Sequence, residues 1–226
     1  MKSPAFPLTR PPVARAAALS AALALLAGCS SSGELVVDQG VGVTALRTAC
    51  PAVGVPDYTG NITTFSRSGA TTADAIDVTA NITNLRATCD EATGDRVVSN
   101  ATFDVFARRS DTSGARTVTL PYFVTVLRGG TAVESKRVGQ VTLQFADGQD
   151  RAYTTATGSA YINRSEATLP DDIRQQITRR RRPGEADAAR DPLADPAVRA
   201  ALARASFEML IGFNLSEQQL SYNATR

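Results

Sequence analysis

Side chains able to act as nucleophiles, acids, bases or metal ligands are few in this chain. Its 226 residues include no histidine, no tryptophan, three cysteines (Cys29, Cys50 and Cys89) and two lysines, Lys2 and Lys136. Without histidine, the Ser-His-Asp triad, the His-based zinc site and the paired-His metalloprotease motif have no actors. Ser135 directly precedes Lys136, but neighbours on a strand point to opposite faces, so the two make no Ser-Lys dyad. Carboxylates are what is left for catalysis. Asp104, Asp147, Asp150, Asp171 and Asp172 could supply the two that glycoside hydrolysis needs across a cleft, but nothing in the sequence pairs them. Asp147-Gly148-Gln149-Asp150 reads as a hairpin turn in preference to a fragment of a calcium loop, because it is shorter than calcium-binding patterns. No catalytic residue, cofactor or metal site is therefore expected.

The strongest charge feature is the run Arg179, Arg180, Arg181 and Arg182. Four guanidiniums in a row could grip phosphate-bearing lipid headgroups or lipopolysaccharide. The plainer reading, which we favour, is a set of cations at a helix C-terminus, compensated by Glu185, Asp187, Asp191 and Asp195.

The elements that would position these residues are mainly strands. Leu35-Val36-Val37 and Val41-Gly42-Val43 suggest one or two short ones; Cys50 to Gly60 is rich in Pro and Gly and reads as a loop; Ile62 to Phe65 is a further short strand. Ala75 to Cys89 is predicted as a long strand. Ile76, Val78, Ala80 and Ile82 alternate on one face, then Leu85, Ala87 and Cys89 take the opposite parity, which predicts a bulge near Thr83-Asn84. In Arg96 to Arg109, Val97, Ala101, Phe103, Val105 and Ala107 alternate against Asn100, Thr102, Asp104 and Arg108. Arg116 to Arg128 aligns Val118, Leu120, Tyr122, Val124 and Val126, with Pro121 on the other parity predicting an edge strand or a bulge. Val133 to Phe145 has Val141, Leu143 and Phe145 in register, and Arg151 to Ile162 puts Tyr153 and Tyr161 on one parity. One apolar face per strand predicts antiparallel pairing with a single buried side. The fold class is thus mainly β with an α tail: an antiparallel meander or Ig-like β-sandwich over residues 40–168.

After Leu169 the period changes. Pro170-Asp171-Asp172 opens a helix with Ile173 and Ile177 on one face, running into the arginines and ending at Pro183-Gly184. Asp195-Pro196 caps a second helix from Ala197 to about Phe213, with Val198, Leu202, Ala205, Met209 and Phe213 spaced for one face. Ser216 and Gln219 make a capping-box pattern for a last helix ending near Tyr222. Residues 169–226 are predicted as a helical segment whose apolar face docks on the sandwich.

The N-terminus is a separate unit. Lys2, Arg10 and Arg15 precede an Ala and Leu run from Ala16 to Ala27, broken only by Ser20. That run is about 18 Å of helix, too short for the roughly 30 Å of bilayer hydrocarbon, and fits a signal peptide. Leu26-Ala27-Gly28-Cys29 resembles the lipobox of bacterial lipoprotein precursors, and the chain is similar in its leader to lipoproteins of Gram-negative envelopes. The resemblance implies cleavage before Cys29, a signal peptide over 1–28, diacylation of the Cys29 thiol and a lipidated tether over 29–39. Ser30, where retained inner-membrane lipoproteins usually carry Asp, implies the outer membrane, facing the periplasm. Cleavage by the ordinary signal peptidase, leaving a soluble periplasmic protein, is the rival. The likeness covers only the leader and transfers no catalytic residue.

With Cys29 taken by lipid, Cys50 and Cys89 are left in an oxidising compartment, which predicts a disulfide between them. The net charge of +2 falls to −1 without the leader's three basic residues, so the basic pI makes no case for nucleic acid. The expected role is a non-catalytic binding or scaffolding module of the envelope, with the membrane as one partner through Cys29. Envelope proteins or anionic lipid headgroups would be others. The alternatives are lipid or polysaccharide handling through Arg179–Arg182, and a carboxylate-based hydrolase.

Overall fold

A computed structural model describes residues 48–91, 94–179, 182, 184–186, 188 and 190–225. The expected signal peptide 1–28, the expected tether 29–39 with Cys29, the strands expected at 35–37 and 41–43, and Arg180 and Arg181 lie outside the described residues. Among the described residues the chain forms eight strands: β1 (Ala52–Gly54), β2 (Asn61–Phe65), β3 (Ile76–Asp90), β4 (Arg96–Arg109), β5 (Arg116–Arg128), β6 (Ala132–Phe145), β7 (Arg151–Asn163) and β8 (Phe207–Phe213). Four helices follow β7 or β8: α1 (Arg164–Ala167), α2 (Asp171–Thr178), α3 (Pro196–Arg204) and α4 (Glu217–Ala224).

The strands make two four-stranded sheets, ordered β1-β8-β5-β6 and β2-β3-β4-β7. All pairings are antiparallel except β1 on β8. One core joins the layers: Val97, Phe103 and Val105 of β4 share it with Leu120 and Val126 of β5, Leu143 of β6 and Met209 and Ile211 of β8. At Gly158 the layers touch; a Cβ there would stand 2.7 Å from Val124 Cγ2, so β7 can lie on β5 only with glycine. The class expected from the sequence, a mainly β sandwich with a helical region behind it, is the class observed.

The meander is kept in part. Strands β2, β3 and β4 are consecutive neighbours, but after Arg109 the chain crosses to the other layer, makes the β5-β6 hairpin and returns to set β7 beside β4. Asp147-Gly148 forms a turn, with Gln149 N donating to Ala146 O at 3.1 Å, yet it joins strands of different sheets and not a hairpin. The bulge in β3 is present: the register slips between Thr83 and Arg86, and Asn84 takes φ 51°, a left-handed conformation Asn tolerates better than most residues.

The largest correction concerns the tail. The predicted helix 197–213 stops at Arg204, and Phe207–Phe213 is strand β8, inserted between β1 and β5. Phe207, Met209, Ile211 and Phe213 are buried with period two. The segment is apolar apart from Glu208, and in so nearly continuous an apolar run period two and period 3.6 cannot be separated. The sandwich therefore draws on the chain beyond residue 168, and 169–226 is not wholly helical. Ala52–Gly54, expected within a loop, is strand β1 alongside β8.

Pro121 predicts an edge or a bulge, but β5 lies inside its sheet. The conflict resolves locally. The Pro121 carbonyl accepts from Asn214 N at 2.9 Å, and the β5-β8 ladder ends at Tyr122 and Phe213, so the missing N–H faces the side where β8 has stopped. The outer edge of β2 is closed by α4, which starts at the expected Ser216–Gln219 capping box. Asn223 Nδ2 donates to Tyr58 O and Asn61 O, both at 2.8 Å, and the Tyr222 ring meets Phe65 edge-on at 5.2 Å, which blunts an edge that could otherwise pair with another chain.

Candidate functional site

Cys50 and Cys89 are bonded, with Cα atoms 6.1 Å apart, inside the range disulfides require. Cys89 lies past the bulge, where β3 has left the core and its side chains are exposed. Cys50 stands two residues before β1. The bond thus staples one layer to the other and closes a loop of 39 residues, worth about 4 kcal/mol in the chain-entropy model.

Period two along β4 carries past Ala107 to Arg109, which is 2% exposed. Among the described residues no carboxylate forms an ion pair with it. Its guanidinium instead donates to four backbone carbonyls: Gln149 at 2.8 Å, Gly114 at 2.8 Å, Thr112 at 2.9 Å and Ala146 at 2.9 Å. It also lies 5.3 Å from the Phe145 ring centroid. This residue bolts together the two interlayer crossovers, a structural role that the apolar and polar alternation of β4 conceals.

The sequence-derived acids are spread out. Asp147 accepts from Gly114 N at 2.7 Å, Asp171 and Asp172 sit in the first turn of α2, Asp104 lies on the outer face of the β2-β3-β4-β7 sheet, and Asp150 directly precedes β7 with its carboxylate at Arg108. A cavity of about 780 Å³ beside α2 is lined by Asp172, Asp191 and Asp195 together with Arg179 and Arg190. Two of its carboxylates are helix caps: Asp191 accepts from Leu193 N at 2.9 Å and Asp195 from Ala197 N at 2.8 Å. Of the arginine run, Arg179 caps the C-terminus of α2 and pairs with Glu185 at 3.2 Å, and both Arg179 and Arg182 are exposed. The helix ends before the run, not at Pro183-Gly184.

The outer face of β3, β4 and β7 gathers a different set. Cross-strand pairing places Arg108 opposite Arg151, Phe106 opposite Tyr153, Asp104 opposite Thr155, Thr102 opposite Thr157 and Asn100 opposite Ser159. Phe106 and Tyr153 are 48% and 66% exposed and stack with centroids 5.5 Å apart and planes 20° apart. Arg108 and Arg151 share one counter-ion, Asp150, at 3.2 and 3.9 Å. Phe106, Arg108, Arg151 and Tyr153, with Thr79 and Asn81 of β3, line an open recess of about 510 Å³. One rung along, the Asp104 carboxylate accepts from Asn84 Nδ2 and Thr155 Oγ1, each at 2.8 Å. The Asn84 bond chiefly, then the Thr155 bond, with a smaller Coulombic contribution from Arg86, holds this carboxyl below the usual range. At the far end Tyr161 is exposed, with Arg137 5.6 Å from its ring centroid.

The sequence carried two signals for this surface: Tyr153 and Tyr161 share one parity of β7, and Phe106 breaks parity, an aromatic among Asn100, Thr102, Asp104 and Arg108 on the solvent side of β4. Its pairing with Tyr153 needs the register of β4 against β7, strands far apart in sequence. No family model, curated protein or solved structure matches this chain.

Proposed function

We propose that the chain is a lipoprotein anchored in the outer membrane through Cys29 and facing the periplasm, where the sandwich acts as a non-catalytic binding module. What carries the reading is the solvent face of β3, β4 and β7. Two large aromatics are left stacked in water beside two arginines, an arrangement with no evident part in the core and suited to contact. The larger cavity bears carboxylates, but two of the three are engaged as caps, which weighs against the carboxylate hydrolase. The lipobox and the short apolar leader support the anchor.

Two measurements test the two halves. Cys29→Ser should block acyl labelling and leave uncleaved precursor; a variant that matures to the same size and fractionates identically overturns the anchor. Native pull-down from solubilised envelopes should recover a ligand with the parent chain, and less of it after Phe106→Ser with Tyr153→Ser. Recovery that is identical for both chains moves the binding surface elsewhere.

A further inference from the structure

We propose that the recess between β3, β4 and β7 is a subsite for an acidic sugar residue of a polysaccharide, with the pyranose ring on the Phe106–Tyr153 pair and its carboxylate between Arg108 and Arg151. The inference rests on the binding-module reading and supplies its ligand class.

The charge pattern is the first argument. Like charges directly opposite on neighbouring strands are unfavourable, and Arg108 and Arg151 are such a pair. Their side chains are 70% and 82% exposed, and the single Asp150 balances only one of them. A ligand carboxylate accepting from both guanidiniums would neutralise the remainder through charge-assisted hydrogen bonds. The aromatic pair is the second. Adjacent rungs on one face of a strand are about 7 Å apart, and the long, mostly exposed side chains of Arg108 and Arg151 can lean across that gap to meet the carboxylate of a pyranose ring seated on the aromatic pair. The ring would therefore cover Phe106 and Tyr153 while its acid reaches the arginine rung. The third is the polar lining. Thr79 and Asn81, the β3 partners of Arg108 and Phe106, offer hydroxyl and amide groups to the sugar hydroxyls. The strip continues through Thr155, Thr157 and Ser159 to Tyr161, about 26 Å from Tyr153, which is room for a chain of sugars and not one alone.

Asp104 separates this ligand from a polynucleotide. It lies in the strip, one rung from the aromatic pair. Every sugar of a polyuronate carries hydroxyls that can donate to this carboxylate, whereas a polydeoxynucleotide backbone brings phosphates there and no hydroxyl donor.

The test uses the detergent-solubilised mature protein in titration calorimetry. The probes are hexamers of galacturonate and of mannuronate, a neutral malto-hexaose, hexathymidylate, and vesicles containing anionic phospholipid. Binding of a uronate hexamer is expected, weakened by salt, with weaker or no binding of the other three probes. Arg108→Gln with Arg151→Gln should weaken it at least about tenfold, and Phe106→Ser with Tyr153→Ser should do the same. Both pairs are exposed, so the thermal midpoint should stay near that of the parent. Arg179→Gln with Arg182→Gln should leave binding unchanged. Failure of both uronate hexamers to bind, equal binding of malto-hexaose, tighter binding of hexathymidylate or vesicles, or insensitivity to the recess variants overturns the proposal. If the uronates fail while envelope pull-down still depends on Phe106 and Tyr153, the ligand class is wrong and the binding module stands. If both fail, the module reading falls too.

Discussion

Arg109 shows how a charge can be held inside a β-sandwich by backbone carbonyls in place of a direct ion pair. A guanidinium has five donors in a planar fork, and four carbonyls from the 112–114 and 146–149 stretches converge on it. Burying an arginine is unfavourable unless its donors are met, and here the backbone of two crossovers meets them. Arg109→Leu would strip all four carbonyls of their partner at once. It should lower stability by about 3–5 kcal/mol, read as a fall in the urea midpoint with little change in slope. Arg109→Lys should recover only part of this, because an ammonium on a flexible stem does not reproduce the fork. A lysine variant as stable as the parent would show that the charge matters and the geometry does not.

Among the elements, β8 holds the sandwich together. Among the described residues it is the only strand paired on one side with a parallel neighbour, β1, and on the other with an antiparallel one, β5. Helix α3, which precedes it, packs in a smaller cluster of Leu169, Ile177, Val198 and Ala205, with Leu202 half-buried at its margin. The two halves of what reads as one apolar helix should therefore respond differently to truncation. Phe213→Ala, in the main core, should cost about 3–5 kcal/mol. Leu202→Ala should cost about 1–2 kcal/mol, since less area is lost from water exclusion. Equal losses in thermal or urea unfolding would return Leu202 to the core and contradict the strand.

At the scale of the whole molecule, the ties between the layers include apolar burial, the Cys50–Cys89 bond, the Arg109 clamp and an ion pair between β3 and β5. Arg116, at the start of β5, makes two bonds of 2.6 and 2.7 Å to the Asp77 carboxylate near the start of β3, so the pair spans the two sheets. The Arg116 bonds, opposed by partial burial, hold the Asp77 carboxyl below its ordinary value of 3.8. Its contribution to stability is therefore complete above that value and is lost as pH falls through the lower folded-state pKa. The arginine is 42% exposed and the aspartate 18%, so solvent screens the pair and Asp77→Asn should cost only about 1 kcal/mol at pH 7. The difference between parent and variant should shrink as the pH is lowered below the folded value. A difference that persists unchanged in strong acid would assign the effect to packing.

Local chemistry was enough to read much of the chain. Period two marked out β3 to β7, a parity change marked the bulge at Thr83-Asn84, and Ser216 with Gln219 marked the start of α4, because each depends on neighbours a few residues away. Cysteine count and compartment pointed to Cys50 and Cys89. Tertiary structure alone decided which strands share a sheet, since alternation says which side of a strand is buried but not which partner lies beside it. It alone made Phe207–Phe213 a strand, because a slot between β1 and β5 overrides the helical spacing of a run that is apolar apart from Glu208. It assembled the recess in the same way: Phe106 is visible as an out-of-phase aromatic, but only the pairing of β4 with β7 sets Tyr153 on its ring and Arg151 beside Arg108.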